Sequence, residues 1–436
     1  MLSRRRFLHG VSSGVVATGA ALATNARARA QVFAPTLTSA DLRPSGALDE
    51  AYWWKVRSQF NILDGMTFMN NGTEGPVPRV VVEANEKFFR EIAENPSNNY
   101  RREEVDVVRG LMATFVNADA GEIALTRSTT EGMNIFTHGL EWKAGDEVIY
   151  NTHEHGGGIG PYTTLSKRLG IKVVTVDIPA PPQSIDQIVG LYEKAITPRT
   201  KVIMVSHMTY VTGLVTPVKE LAELAHRRGL LISVDGAHPL GMMDLDLKAM
   251  NVDHYAAAGQ KWMMCGTGTG VCYIKRSVQD RIWPLMGPPG DPKDGAKKYE
   301  AFGQRDVPSV LGMTAAMDLQ NAIGKRNIEA RVRALSTRLR AGLKTVPGVK
   351  TWTSEDPAFA AGLTLFSVRD IPMANVQQAI LNRDRIYIRT MTTGNLNAVR
   401  AATHIYNMPD EVDRLIASVR HVSENATRYM TTTQAQ

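Results

Sequence analysis

Residues 230–276 carry the strongest fold signal in the chain and read LLISVDGAHPLGMMDLDLKAMNVDHYAAAGQKWMMCGTGTGVCYIKR. Branched apolar residues up to Val234, followed by Asp235 and a glycine, predict a buried parallel strand that ends at the ligand-binding edge of an open α/β sheet. A second short strand leads into Lys261, and a third is predicted over 270–275. The glycine-rich segment 266–270 lets a ligand approach the backbone closely. The stretch therefore predicts that Asp235 and Lys261 meet at one edge of a sheet.

An aspartate and a lysine that converge at strand ends suit pyridoxal phosphate (PLP). The lysine of such a pair binds PLP as a Schiff base, and the aspartate keeps the pyridine nitrogen protonated so that the ring accepts electrons. Either residue alone is more often a turn residue or a solvated surface charge. The assignment of Asp235 and Lys261 to PLP therefore depends on further motifs.

A phosphate site is predicted where the short strand 123–126 runs into Arg127-Ser-Thr-Thr-Glu-Gly132 and then into a helix. Free N–H groups and the macrodipole at a helix N-terminus attract an anion, and serine and threonine hydroxyls add donors. An ordinary threonine helix cap is the alternative interpretation.

Alternating apolar strands and amphipathic helices predict an α/β fold with a doubly wound, mostly parallel sheet. One of the helices is predicted to open with Thr216 as N-cap and Pro217 at the first helical position. Beyond Arg276 a long helical stretch, 311–346, and later short strands indicate a smaller α+β C-terminal domain. The predicted division is a signal peptide (1–30), an N-terminal arm (31–80), a large domain (81–310) and a small C-terminal domain (311–436).

The first thirty residues predict an export signal. Ser3-Arg-Arg-Arg-Phe-Leu8 fits the twin-arginine pattern S-R-R-x-F-L, and Ala28-Arg29-Ala30 supplies an A-x-A cleavage site. The apolar run between them is too short to span a bilayer. We therefore expect passage through the twin-arginine translocase to the periplasm, cleavage after about Ala30, and no stable membrane insertion.

Charge and cysteine content exclude several classes of function. The net charge of +7 falls to +2 without the five arginines of the signal, and no basic run interleaved with aromatics follows, so no nucleic-acid partner is expected. Cys265 and Cys272, the only cysteines, lie in one tight segment and are predicted to be free thiols. No Cys/His cluster has metal-ligand spacing, so no metal site is predicted.

Four motifs together resemble the class V PLP-dependent aminotransferases, and within them the isopenicillin-N-epimerase-like branch. These motifs are RSTTEGMN (127–134), SHMTYVTG (206–213), VDGAH (234–238) and GQK (259–261). The resemblance covers about residues 65–425. It implies PLP fold type I, PLP as cofactor, an enzyme acting on an amino-acid-type small molecule, and a homodimer.

The resemblance also implies the roles of individual residues. Lys261 would bind PLP, Asp235 would partner the pyridinium nitrogen, and His238 would stand near the phenolic oxygen. His155 would stack on the ring, with His153 as the alternative. The phosphate would be held by Thr129, Thr130, Gln260 and N–H groups around Glu131, and by Gly303 and Gln304 of a neighbouring subunit. The substrate carboxylate would bind Arg400, with Asn71 and Tyr210 as further substrate-binding candidates.

The type of reaction stays open at this point. Desulfurases of the family need a nucleophilic cysteine on the loop that here reads TMTTGNLN (390–397), without a thiol, so persulfide chemistry is not expected. Aminotransfer, epimerisation and β-elimination, as in a C–S lyase, remain. The chain also resembles twin-arginine-exported class V members that tailor a side chain of the siderophore pyoverdine, which would mean a peptide-bound substrate. Asp235 and Lys261 argue against a binding protein without catalysis.

Overall fold

Two larger sheets and one two-stranded pair organise residues 49–288, 290–392 and 396–430, the part of the chain that the computed structural model describes. The predicted signal peptide lies outside these residues. In chain order the strands are β1 (Thr67–Phe68), β2 (Ile123–Thr126), β3 (Glu147–Asn151), β4 (Lys172–Val176), β5 (Thr200–Ser206), β6 (Leu231–Asp235), β7 (His254–Ala258), β8 (Gly270–Ile274), β9 (Val349–Thr351), β10 (Leu363–Val368), β11 (Ile386–Tyr387), β12 (Arg389–Met391) and β13 (Ala398–Ala402).

Helices precede, separate and follow these strands. The α-helices are α1 (Glu50–Arg57), α2 (Arg79–Glu94), α3 (Arg102–Phe115), α4 (Thr129–Gly139), α5 (Gly156–Leu169), α6 (Ile185–Ala195), α7 (Val218–Arg227), α8 (Leu247–Met250), α9 (Val307–Ile323), α10 (Lys325–Lys344), α11 (Met373–Asp384), α12 (Pro409–Glu424) and α13 (Ala426–Met430). Short 3₁₀ segments cover Pro96–Asn99, Ala120–Glu122, Arg276–Arg281 and Pro292–Glu300.

The central sheet has seven strands in the order β2-β8-β7-β6-β5-β3-β4. All are parallel except β8, which is antiparallel to both of its neighbours. Every residue of β6 is buried, and Ile232 and Val234 belong to one apolar cluster while Leu231 belongs to another. Burial on both faces is why this strand is almost continuously apolar. The predicted mostly parallel, doubly wound sheet is thus confirmed.

A smaller antiparallel sheet, in the order β12-β13-β10-β9, forms in the C-terminal part of the chain. Its apolar residues, such as Phe366 and Val399, share one buried cluster with Leu339 of α10 and Leu415 of α12. This arrangement has the α+β character that the sequence predicts, whereas the four-part division of the chain stays a prediction.

Two details of the predicted secondary structure are wrong. Pro217 rather than Thr216 is the N-cap of α7, because the Thr216 hydroxyl donates to the Ser206 carbonyl (2.7 Å) and so belongs to the end of β5. The predicted helical stretch 311–346 is two helices, α9 and α10, separated at Gly324, whose φ of 91° no regular helix accommodates.

Across the described ranges no helix is long and apolar enough to cross a membrane. Cys265 and Cys272 are both buried and unbridged, which confirms the predicted free thiols.

Candidate active site

The carboxyl ends of β5, β6 and β7 bring the predicted reactive residues to one edge of the central sheet. Ser206 and Asp235 are opposite each other in the ladder, and Gly259-Gln260-Lys261 follows β7 directly. Lys261 is half-buried, and its pKa is lowered to about 8, mainly by desolvation, which the charge of Asp235 opposes. About a tenth of such an amine is uncharged at pH 7. The lysine is therefore suited to act as a nucleophile and as a proton carrier.

Asp235 is buried beneath the N-terminus of α5. Desolvation raises the pKa of its carboxyl, while Lys261 and the N–H of Ala237, which donates to Oδ1 (3.0 Å), favour the charged form. A Cβ at Gly158 of α5 would lie 2.8 Å from Asp235 Oδ2, so this contact requires glycine. The helix N-terminus thus packs directly on the carboxylate and favours its negative charge.

A second buried carboxyl, Glu154, lies close enough to Asp235 for the charge of Asp235 to raise its pKa. Desolvation is the larger cause, and together they raise the pKa of Glu154 to about 8. Its Oε1 accepts from the N–H of Ser206 (2.9 Å), and the Asn151 amide and the Ser206 hydroxyl also contact the carboxyl. Glu154 was not predicted from the sequence, although its position next to His155 after a strand is a usable signal.

The structure brings His155, rather than His153, towards Lys261 and Asp235. Desolvation and the charge of Lys261 lower the pKa of His155, whereas the charged group that acts on His153 is Asp177. His155 Nδ1 accepts the N–H of Gly157 (3.0 Å), so the ring also caps α5. Of the two predicted histidines, His155 is the one near Lys261 and Asp235.

The predicted phosphate site lies at the N-terminus of α4. Ser128 is the N-cap, and its hydroxyl accepts the N–H of Glu131 (3.2 Å), while the Glu131 carboxylate pairs with Arg127. Thr130 Oγ1 lies against Gly157, where a Cβ would come within 2.5 Å of it. The hydroxyl of Thr129 is buried and finds no hydrogen-bond partner among the described residues. Thr129 and Thr130 are therefore positioned for an anion.

Buried polar atoms without a hydrogen-bond partner in the described residues test whether PLP fits this edge. They are Thr129 Oγ1, Gln260 Oε1, His238 Nε2, Asn71 Nδ2 and Arg400 Nε. An unsatisfied buried group of this kind costs about 1–3 kcal/mol, so a set at one site calls for a ligand. A phosphate, a phenolic oxygen and a carboxylate are acceptors that match the donors of this set, whereas Gln260 Oε1, an amide oxygen, needs a donor. The residues present fit PLP together with an amino-acid substrate.

A buried arginine lies where the substrate carboxylate is predicted to bind. Arg400 of β13 is 1% exposed, and its guanidinium donates to the Tyr210 carbonyl (2.5 Å) and to Thr73 Oγ1 (3.3 Å). No carboxylate pairs with it among the described residues. Desolvation and the neighbouring Arg389 lower its pKa to about 9. Arg389 also donates to Thr73 Oγ1 (2.6 Å), and sequence analysis did not place it in the site.

The turn that contains Asn71 packs against the backbone of Lys261 and against the Arg400 guanidinium, which a Cβ at Gly72 would approach within 2.9 Å. A Cβ at Gly75 would lie 2.3 Å from the Lys261 carbonyl, and the Asn71 amide oxygen accepts the Tyr406 hydroxyl (3.1 Å). The ring of Tyr210 meets that of His155 edge-on, with centroids 4.8 Å apart. Asn71 and Tyr210 thus join Arg400 around the same space.

Gly303 and Gln304 lie elsewhere, exposed on the surface, where the Gln304 amide donates to the Tyr100 hydroxyl (3.0 Å). Their contact with PLP of a neighbouring subunit stays a prediction. Within the described ranges no group of three or more His, Cys, Asp or Glu side chains is arranged to hold a metal ion.

Comparisons with known proteins agree with this geometry. The family described as Aminotransferase class-V matches residues 67–415. Isopenicillin N epimerase of Streptomyces clavuligerus is 26% identical over 385 residues, 84% of this chain and 97% of the relative. A probable cysteine desulfurase of Methanothermobacter thermautotrophicus is 27% identical over 399 residues, with 84% and 97% covered.

A solved structure of C-DES, a cystine C–S lyase in complex with its product cysteine persulfide, is 28% identical with a TM-score of 0.75, and the match covers 83% of this chain and 99% of that one. A second C-DES structure, a mutant with glycine covalently linked to PLP, matches equally well, with 84% and 98% covered. The chain therefore belongs to the class-V aminotransferase family and is a PLP-dependent enzyme.

Proposed function

We propose that this enzyme acts at the Cα of an amino-acid-type substrate whose carboxylate binds Arg400, as an aminotransferase or an epimerase-like enzyme. The observation that carries the proposal is the fully buried Arg400 guanidinium, which has no carboxylate partner in the described residues and stands in the same site as Lys261. A buried cation is normally paired, and a planar carboxylate matches the guanidinium fork.

The residues that would hold PLP are Lys261, by its amino group, Asp235, at the ring nitrogen, His155, at the ring face, and Thr129, Thr130 and Gln260, at the phosphate. Bound PLP supplies an electron sink for negative charge at the substrate Cα. Lys261 Nζ takes and returns the α-proton, because a pKa of about 8 lets it exchange a proton near neutral pH. Arg400 fixes the carboxylate and so holds Cα in reach of that amine.

Enzyme-bound persulfide chemistry is not part of this proposal. Desolvation raises the pKa of the Cys265 thiol to about 12 and raises that of Cys272 as well, so neither forms a thiolate at neutral pH. Cys265 lies in a packed loop, and Cys272 lies on β8 against Gly132. The sequence 390–397 contains no cysteine.

A C–S lyase is the second candidate function, supported by the similarity to C-DES together with the buried thiols. β-Elimination begins with the same removal of the α-proton, and it needs no enzyme thiolate. The two candidates therefore share Lys261 and Arg400 and differ in whether the substrate loses a β-substituent.

The test is α-proton exchange in D₂O, followed by NMR over a panel of amino acids, peptides and cystine. We expect exchange with at least one carboxylate-bearing amine, lost in Lys261→Ala and weakened in Arg400→Met. Release of pyruvate and a persulfide product from cystine would select the lyase. Absence of exchange with every amine of the panel, in an enzyme that is loaded with PLP, would contradict the proposal.

We also propose that the enzyme is exported as a folded homodimer to the periplasm. Support comes from the twin-arginine pattern and the cleavage site of residues 1–30 and, for the dimer, from the surface position of Gln304, which leaves its predicted contact with PLP to a second copy. A periplasmic address makes a peptide-bound substrate, such as a siderophore side chain, the alternative to a free amino acid.

A further inference from the structure

Trp262, the residue after Lys261, is held rigidly at the back of the site. Its side chain is fully buried, and its carbonyl accepts from His404 Nε2 (3.1 Å) and from the Gln320 amide (3.1 Å). A Cβ at Gly362 would lie 2.5 Å from the indole Cη2, so the ring fills the space that this glycine leaves. The indole therefore has one orientation.

The indole N–H of Trp262 donates to His238 Nδ1 (3.1 Å). An indole nitrogen is only a donor, so His238 Nδ1 is the acceptor, and in a neutral imidazole the single proton must then be on Nε2. Desolvation lowers the pKa of His238 well below its usual range, and the charges of Lys261, Arg400 and His155 act in the same direction. The ring is therefore neutral, with its proton at Nε2.

His238 Nε2 is buried and has no hydrogen-bond partner in the described residues. An N–H at this position is a donor without an acceptor, and such a group calls for an acceptor on a ligand. If the tautomer were reversed, the ring would present a lone pair to that ligand instead.

We propose that Trp262 is a positioning residue that fixes the Nε2–H tautomer of His238, so that the ring offers a hydrogen-bond donor to an oxygen of PLP. The inference rests on the proposed binding of PLP at this site and on the predicted placement of His238 beside its phenolic oxygen. Removing the indole N–H frees His238 to adopt the other tautomer, in which two acceptors face each other. The proton on His238 is thus set by a residue on the far side of the ring from the ligand.

The first test reads the tautomer directly by ¹⁵N NMR of the histidine-labelled full-length enzyme without PLP, with His238→Gln to assign the signal. We expect wild type to carry the proton on Nε2 and Trp262→Phe to show a mixture or the Nδ1–H form. Trp142→Phe, which removes an indole donor to the Thr137 carbonyl (2.8 Å), is the matched control and should leave the tautomer unchanged. An Nδ1–H wild type, or a pure Nε2–H form in Trp262→Phe, would overturn the inference.

The second test follows the pH dependence of the absorbance of bound PLP. If Trp262→Phe removes the hydrogen bond from His238 to the phenolate oxygen of PLP, the charged phenolate loses stabilisation. The apparent pKa of this phenol group should then rise by about one pH unit, a tenfold change. In the His238→Gln background the amide supplies a donor without tautomers, so adding Trp262→Phe should cause no further shift. Equal shifts in both backgrounds would mean a purely structural role for Trp262 and would refute the proposal.

A second variant and a readout without turnover ensure that both tests give an interpretable result. If Trp262→Phe does not fold, 3-benzothienylalanine at position 262 preserves the shape of the indole and removes only the N–H. The NMR test uses neither substrate nor turnover, so its result stands even if no amino acid exchanges its α-proton.

Discussion

Replacing Arg400 by methionine should weaken substrate binding without weakening the fold. The guanidinium is almost fully buried and has no carboxylate partner in the described part of the chain, so the charge is unfavourable until a substrate arrives. A buried arginine with a structural role would behave in the opposite way, because its removal would break a pair.

The contacts of Arg400 determine the expected change in the free energy of unfolding. Burial lowers the pKa of Arg400 to about 9, which means that the folded state with a charged Arg400 is destabilised by roughly 5 kcal/mol. The methionine variant carries no charge and avoids this cost. Against this, the variant loses the hydrogen bonds from the charged guanidinium to the Tyr210 carbonyl and to Thr73 Oγ1, about 1.5–2.5 kcal/mol each. The free energy of unfolding without substrate should therefore stay the same or rise by about 2 kcal/mol. The Michaelis constant should rise roughly 10- to 10²-fold, as expected for a lost charge-assisted hydrogen bond.

The assay is urea unfolding of the PLP-free enzyme beside steady-state kinetics of the loaded one. Arg331→Met is the matched control, since Arg331 is equally buried but pairs with Glu50 (2.6 Å) and donates to the Asn407 carbonyl (3.1 Å). This control should lose about 2 kcal/mol or more and keep its Michaelis constant. If Arg400→Met instead loses stability and keeps its Michaelis constant, the assignment of Arg400 to the substrate is wrong.

Three further predictions concern the amine, the thiols and the signal. The rate at which the PLP-free enzyme binds PLP covalently should rise with pH up to about 8 and then level off, because the reactive form of Lys261 is the neutral amine. Stopped-flow absorbance measures this rate. The Lys261→Ala variant should show no covalent product after borohydride reduction. The Cys265→Ala/Cys272→Ala double variant should keep wild-type activity, and mass spectrometry of wild type with cysteine should find no persulfide, since burial suppresses both thiolates. Replacing Arg4 and Arg5 by lysine should leave PLP-loaded enzyme in the cytoplasm, as cell fractionation would show; mature protein in the periplasm would contradict the proposed export route.

Local sequence patterns were enough to predict the centre of the site. Asp235 ends β6, Lys261 lies three residues after β7, and Thr129 opens a helix after β2, so the rule that ligands bind at carboxyl ends of parallel strands places them together. His155 is the residue predicted to stack on the ring, and the structure adds that it caps α5 near Lys261 and Asp235, while the stacking itself stays a prediction.

Contacts between distant parts of the chain could not be predicted in the same way. Arg389 reaches the site only because β12 pairs with β13 and places it next to Arg400, and both meet Thr73, which lies more than 300 residues earlier. Glu154 is held in the site by Ser206, which lies on another strand and whose N–H donates to the Glu154 carboxyl. No periodicity or spacing within a short window contains this information, since it depends on how separate elements pack.

The unsatisfied polar atoms of the site connect its chemistry with the order of folding and export. Thr129, Gln260 and His238 come from three separate segments and meet only in the folded chain, where their free atoms make the site without PLP less stable than a satisfied one. PLP offers acceptor oxygens to the Thr129 hydroxyl and the His238 ring, binds only the folded state and stabilises it by mass action. An unfolded chain has no such site and would cross a membrane without the cofactor. If the enzyme is exported as we propose, it keeps PLP only by crossing the membrane folded, which is what the predicted twin-arginine signal would provide.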